Sequence, residues 1–166
     1  MAEILVREAA GAEDVAAVRR LMQAYGEYLV DHPGGAANIC LEGYGRELEG
    51  LPGGYAVLLL ALVDGEPAGC VALRSLKREE SACEMKRLWV DGRFRGLRLG
   101  QRLVEKAIGW AERKGFEAMY LDTVPAAMRE ANKLYEAMGF VRVERYNENP
   151  VADLAFFRRE IQGNRE

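Results

Sequence analysis

The sequence predicts a single α/β domain over residues 1–166, built as a mixed, mostly antiparallel sheet flanked by helices. Three features carry that expectation. Strand-like apolar runs alternate with stretches whose apolar residues recur at helical spacing. Asp64-Gly65 joins two of the runs as a hairpin. The run Cys83–Val90 feeds a glycine-bearing basic turn that opens an amphipathic helix ending at Gly115. With 166 residues, 49% hydrophobic and 30% charged, the chain has ample material for one core, and no repeat, low-complexity tract or linker divides it.

In order, Ile4–Arg7 reads as a short strand, and Gly11-Ala-Glu-Asp14 starts a helix with Val15, Val18, Leu21, Met22, Tyr25 and Leu29 on one face. His32-Pro-Gly-Gly35 ends that helix. A second, shorter helix is expected over Leu41–Leu48, closed by Leu51-Pro-Gly-Gly54 before the buried strand Tyr55–Val63. After the turn, Ala68–Leu76 should return antiparallel, and polar Lys77–Ser81 should connect it to Cys83–Val90. The helix that follows carries Leu99, Leu103, Val104, Ala107, Ile108 and Ala111 in one stripe. Ala118–Thr123 reads as a strand covered by helices, and Pro125 introduces a helix bearing Ala131, Leu134, Tyr135 and Met138. Gly139 stops it before a strand at Val141–Glu144, and Asp153–Arg159 is the last strand.

Net charge is −3 and the pI is near 5.4, so no global basic field is present to hold nucleic acid, and the local arginine cluster reads as a site for a small anion. Cys40, Cys70 and Cys83 have no C-x-x-C spacing and His32 has no partner imidazole, so neither a disulfide framework nor a metal site is expected. The longest apolar run, Tyr55–Val63, is too short to span a bilayer, and Glu3, Arg7 and Glu8 stand where a signal peptide would be apolar. A cytoplasmic protein without membrane attachment is expected.

The basic turn is Arg95-Gly96-Leu97-Arg98-Leu99-Gly100-Gln101. The first N–H groups of a helix have no intrahelical partner, and with the helix dipole they form a ready anion cradle; Arg95 and Arg98 add positive charge to it. Glycines 96 and 100 allow the main chain to approach a ligand and the helix to pack close. Neither the dinucleotide pattern G-x-G-x-x-G nor the ATP-type G-x-x-x-x-G-K-[ST] fits. The segment resembles the [Q/R]-x-x-G-x-[G/A] signature of the Gcn5-related N-acetyltransferase (GNAT) superfamily, with Arg98 in place of the middle glycine. Ala131-Asn-Lys-Leu-Tyr-Glu-Ala-Met-Gly-Phe140 resembles that family's late helix and the strand after it. The resemblance runs over residues 82–145.

What the resemblance implies is a GNAT-like fold whose central parallel strands splay apart, with acetyl-CoA as co-substrate. Its pyrophosphate would lie on residues 95–101, that is Arg95, Gly96, Leu97, Arg98, Leu99, Gly100 and Gln101, with Arg98 pointing outward. Its pantetheine arm would pair with the main chain of Leu88, Trp89 and Val90, which also offers an N–H to the thioester oxygen. Asn132 would contact the coenzyme. Tyr135 maps onto the general acid, the alternative being a core tyrosine. Glu84 is the candidate base, acting directly or through water, the alternative being an ion pair with Lys86 or Arg87.

Trp89 and Trp110 are expected to fill the core rather than stack on adenine, Cys83 to be a buried strand residue, and His32 to belong to a loop. Glu42, Glu47 and Glu49 read as the wet face of a short helix, or as an attraction for a cationic acceptor. Arg74, Lys86 and Arg87 offer the opposite, recognition of an acceptor carboxylate. The acceptor is expected at the loops 30–54 and 144–150. Three functions follow: acetyl transfer to the amine of a small-molecule or amino-acid-like acceptor in a ternary complex, acetyl transfer to a protein or peptide, or a non-catalytic acyl-CoA-binding module. A homodimer paired through the strand Val151–Arg158 is a further expectation.

Overall fold

The computed structural model describes residues 1–31, 41–76, 79–125, 128–147, 149 and 154–161. The elements are β1 (Ile4–Glu8), α1 (Gly11–Asp31), α2 (Leu41–Glu49), β2 (Val57–Val63), β3 (Glu66–Leu76), β4 (Glu79–Val90), α3 (Leu99–Arg113), β5 (Ala118–Thr123), α4 (Arg129–Ala137), β6 (Val141–Val143) and β7 (Ala155–Glu160). One sheet in the order β1-β2-β3-β4-β5-β7-β6 contains all seven strands, antiparallel except for β4 and β5. The expected α/β fold with a mixed, mostly antiparallel sheet is therefore present.

Residues of β2 show why its sequence is an unbroken apolar run. Leu59 and Ala61 point into a core under α3, with Val71, Leu73, Cys83, Met85, Leu103, Val104 and Ala107. Leu58 and Leu60 point the other way, against Val18, Leu21 and Met22 of α1 and Tyr44 of α2. A strand covered on both faces has no polar side to alternate with. On one face Gly26 of α1 permits the approach of α2: a Cβ there would lie 2.6 Å from the Tyr44 ring, whose hydroxyl donates to the Met22 carbonyl.

Two boundaries differ from expectation. Polar Lys77–Ser81 reads as a connector, yet Leu76 pairs with Glu79 and β4 begins there, because backbone pairing tolerates polar side chains. The last strand differs more. β7 lies between β5 and β6, and Phe156–Arg158 are paired on both sides, so those three residues offer no free edge for the expected pairing across a two-fold axis. Residues 151–153 of that expectation lie outside the described residues, as do His32 and Cys40.

The feature that positions the site is the β4–β5 ladder. Its parallel pairs are Ala82 with Ala118, Cys83 with Met119 and Glu84 with Tyr120; β4 then runs on to Val90 and β5 to Thr123 along diverging paths. Among the described residues no helix is long and apolar enough to cross a membrane.

Gly26→Ala should destabilise the fold by about 1–3 kcal/mol, because Tyr44 is buried and held by its hydroxyl and cannot yield freely. Denaturant unfolding of the variant beside the parent measures this.

Candidate active site

At the mouth of the diverging strands, Asp91 caps a 3-10 turn, Gly92–Phe94, by accepting from the Arg93 N–H at 2.9 Å, and the chain then enters α3. Gly96 sits at φ 85° and Arg98 at φ 57°. Arg98 is the N-cap of α3 and makes no side-chain cap, while the first α3 ladder bond runs from the Arg102 N–H to the Arg98 carbonyl. The N–H groups of Leu99, Gly100 and Gln101 therefore stand without intrahelical acceptors. Leu97 packs toward Val63, Ala68 and Leu99, which turns the polar backbone of the loop outward. The side chain of Arg98 is exposed, as expected, in a backbone conformation a glycine adopts at little cost. At Gly100 a Cβ would come 3.3 Å from Leu134 Cδ2, so this glycine sets the closeness of α3 to α4.

The cradle opens on a groove of about 1030 Å³. Its walls include Leu88, Trp89 and Val90 of β4, Arg95, Gly96, Arg98, Leu99, Gly100 and Gln101 of the turn, and Met128–Ala131 with Leu134 of α4. Among the described residues, two buried polar atoms near it have no hydrogen-bond partner, Trp89 Nε1 and Asn132 Oδ1. Trp89 packs between Tyr25 and Tyr28, centroids 5.8 and 5.2 Å away, while Trp110 is in the core. A shallower depression of 580 Å³ at Glu112, Gly139, Val141 and Arg158–Glu160 shares no lining residue with the groove.

A bulge bends β4 where it leaves β5. Cys70 pairs with Trp89 and Ala72 with Lys86, so β4 uses one more residue than β3 over this stretch, and Arg87 takes φ 63°. The bulge turns Arg87 toward α2, where its Nε and Nη2 donate to Glu47 at 3.0 and 2.8 Å and its guanidinium lies 5.0 Å from the Tyr44 ring centre. Glu47 also accepts from Tyr55 at 2.7 Å and is held below its ordinary pKa by Arg87 and the Tyr55 hydroxyl against the cost of its burial. Glu47 is thus no part of a wet face. Glu49 is exposed, and the side chain of Glu42 lies outside the described residues.

Glu84 is 1% exposed. It accepts from Arg74 Nε at 2.8 Å through Oε1, and from the Tyr146 hydroxyl and Asn147 Nδ2 through Oε2, so its ion-pair partner is Arg74 and neither Lys86 nor Arg87. Across the opening, Asp122 accepts from Asn147 at 2.7 Å and from Asn149 at 3.4 Å, and Lys86 Nζ stands 3.9 Å away. Burial lowers the Lys86 pKa, with Asp122 and Glu84 opposing.

Tyr135 is 5% exposed, its ring packed near Phe140 and Phe157, and Tyr25 and Asp122 are the polar groups that its hydroxyl feels. Burial pushes its phenol well above the ordinary value. Asn132 and Tyr135 lie behind the groove wall: Asn132 Nδ2 donates to the Pro125 carbonyl at 3.4 Å. The structure thus brings the cradle and Leu88–Val90 together on one groove and leaves Glu84, on β4, and Tyr135, on α4, outside its lining. Of the residues that engage these carboxylates and cations, Tyr146 and Asn147 fall in the expected acceptor loop 144–150, where no motif singles them out, and Asp122 escaped sequence reasoning. A readable signal existed for Asp122, a carboxylate inside the otherwise buried run Ala118–Thr123.

The family model described as "Acetyltransferase (GNAT) family" matches residues 18–140, and the chain belongs to that family. An N-acetyltransferase of Schizosaccharomyces pombe described as uncharacterized is 36% identical over 108 residues, 64% of this chain and 65% of the relative. The N-acetylaspartate synthetase of Homo sapiens is 37% identical over 81 residues, 49% of this chain and 26% of that protein. The chain therefore spans less than two thirds of the length of these curated relatives. By fold it is similar to a GNAT-family acetyltransferase of Staphylococcus aureus (TM-score 0.75, 18% identity, 96% of this chain and 99% of that one). It is also similar to the PaiA N-acetyltransferase of Thermoplasma acidophilum solved with coenzyme A (TM-score 0.71, 14% identity, 95% and 99%).

Arg98→Gly removes a left-handed backbone cost of about 1–2 kcal/mol and adds an unfolded-state entropy of about 0.5–1 kcal/mol. It should melt at or slightly above the parent, and Arg98→Val, β-branched at the same φ, should melt below it, as scanning calorimetry would record. Cys70 and Cys83 are buried and their thiols are pushed up to about 12, so both should resist iodoacetamide in the native protein and react once it is unfolded. Peptide mass mapping distinguishes the two states.

Proposed function

We propose that the protein is an acetyl-CoA-dependent N-acetyltransferase that moves the acetyl group to the primary amine of a small-molecule, amino-acid-like acceptor by direct attack in a ternary complex. One observation carries this reading. An uncapped helix start with two positive-φ residues opens directly on a groove whose other wall is the strip Leu88–Val90, past the point where β4 leaves β5. An anion cradle and a stretch of main chain on one groove support this reading, since a pyrophosphate followed by a pair of amides requires both. Family membership supports the donor, and the amino-acid product in the name of the human relative supports the class of acceptor.

In this reading the N–H groups of Leu99, Gly100 and Gln101 hold the pyrophosphate with Arg95 and Arg98 beside them. Leu88, Trp89 and Val90 align the pantetheine, and an N–H of that strip faces the thioester oxygen as charge develops on it. The orphaned Asn132 Oδ1 offers an acceptor to the coenzyme. The attacking amine must be neutral. Its proton passes to the Tyr146 oxygen as the Tyr146 hydroxyl proton moves onto Glu84 Oε2, so Glu84 acts as base by relay rather than by contact. As the C–S bond breaks, Tyr135 gives its proton to the departing thiolate. The phenol is protonated across the physiological range, and because burial raises it, the proton leaves only as charge develops on the sulfur.

Tyr135→Phe should lower kcat by about a hundredfold or more while the acetyl-CoA Kd stays unchanged. Thiol release and calorimetric titration measure the two separately, and an undiminished kcat would reject the acid role. Acetyl-CoA binding with no thiol release over a broad panel of amines and peptides would instead make the protein a non-catalytic acyl-CoA module.

A further inference from the structure

Six charged side chains meet where β4 and β5 part: Arg74, Lys86 and Arg87 against Glu47, Glu84 and Asp122. Their formal charges cancel, but their hydrogen-bonding capacity does not. The carboxylates are engaged: Glu47 by Arg87 and Tyr55, Glu84 by Arg74, Tyr146 and Asn147, and Asp122 by Asn147 and Asn149. Arg87 is engaged too, forked onto Glu47 over the Tyr44 ring.

The other two cations are not. Arg74 gives only Nε to Glu84, its two terminal nitrogens have no partner among the described residues, and its side chain is 43% exposed. Lys86 Nζ lies 3.9 Å from Asp122, beyond hydrogen-bond reach, with its side chain 11% exposed. A largely buried ammonium with no hydrogen-bond partner among the described residues is costly, and an incoming anion would offset that cost. Arg74 faces Glu84 in register and Lys86 lies two residues further along the same face of β4, so the two are diagonal neighbours about 7–8 Å apart at Cα. Their long side chains can converge on one carboxylate beside the fork.

We propose that the acceptor is a primary amine that itself carries a carboxylate, bound by the terminal nitrogens of Arg74 and by Lys86 Nζ. This rests on the acetyl-transfer reading and narrows it. A polyamine or other cationic acceptor would meet two unsatisfied positive groups, while the three carboxylates of this cluster are each engaged. On α2, Glu47 is tied to Arg87 and is not available to attract such an acceptor either.

A test free of turnover uses product-like ligands. N-acetyl derivatives of alanine, aspartate and phenylalanine, and their α-carboxamides, are titrated by calorimetry into the CoA-saturated protein. At least one acid should bind about tenfold or more tighter than its amide, the range of a charge-assisted pair. That preference should vanish in Arg74→Met and in Lys86→Met and persist in part in Arg74→Lys, which keeps charge without the fork. Melting curves report whether each variant folds, and Lys86→Met retains the readout if loss of the Glu84 partner unfolds Arg74→Met. Equal binding of each acid and amide, preference for the amides, or no binding of any acid would overturn the proposal. Thiol release with the parent free amino acids and their amides separates the two readings. Equal turnover of acid and amide overturns the carboxylate site alone, whereas acid-selective binding with no turnover of any amine overturns acetyl transfer alone.

Discussion

The parting of β4 from β5 after three parallel pairs is the constraint on which the rest of the site depends. In a closed sheet the backbone polar groups of Met85–Val90 and Leu121–Thr123 would satisfy one another; once the strands diverge, the groups along the opening need other partners. The bulge at Arg87 and the left-handed turn at Arg98 both serve that opening, the first by bending β4 away and the second by starting α3 with its N–H groups uncapped. Strained backbone of this kind persists where the surroundings over-determine it. Here α3 is anchored by a fully buried stripe and β4 by its long ladder with β3.

The opening also divides the chemistry. On the α3–α4 side the wall is mostly apolar with Arg95, Arg98 and Arg129 against the single acid Glu130, and suits a long anionic coenzyme. On the α1–α2 side it is a dense polar network in which Tyr146 and Asn147, from the segment after β6, reach Glu84 and Asp122 on the two central strands. Asn147 donates to both carboxylates and so ties β4 to β5 just where their ladder ends. The network holds two acids close together in the sheet interior, which is tolerable because each is supplied with several donors.

Burial acts in opposite directions on the phenol of Tyr135, on α4, and on the ammonium of Lys86, on β4. It raises the phenol and lowers the ammonium, in both cases favouring the neutral form. A neutral acid that can release a proton suits a reaction in which a thiolate departs, and at Lys86 the carboxylates of Asp122 and Glu84 oppose the effect of burial.

Much of this was legible in the residues alone. Helical stripes such as Leu99, Leu103, Val104, Ala107 and Ile108, the Asp64-Gly65 hairpin and the glycine-bearing turn are local signals, so they fixed the elements and the cradle without knowledge of the rest. Strand insertion, ion-pair partners and the roles of the mouth cations were not local. Nothing near Ala155–Glu160 says that it enters between β5 and β6, because register there depends on Val141–Val143 and Ala118–Thr123 far away in the chain. Likewise Arg74, Lys86 and Arg87 look alike in sequence, and only a one-residue bulge separates the arginine bound to Glu47 from the two cations whose capacity is left over. The sequence determined which elements form, through propensity and period; the tertiary structure decided which charges meet, because pairing depends on distances that only packing sets.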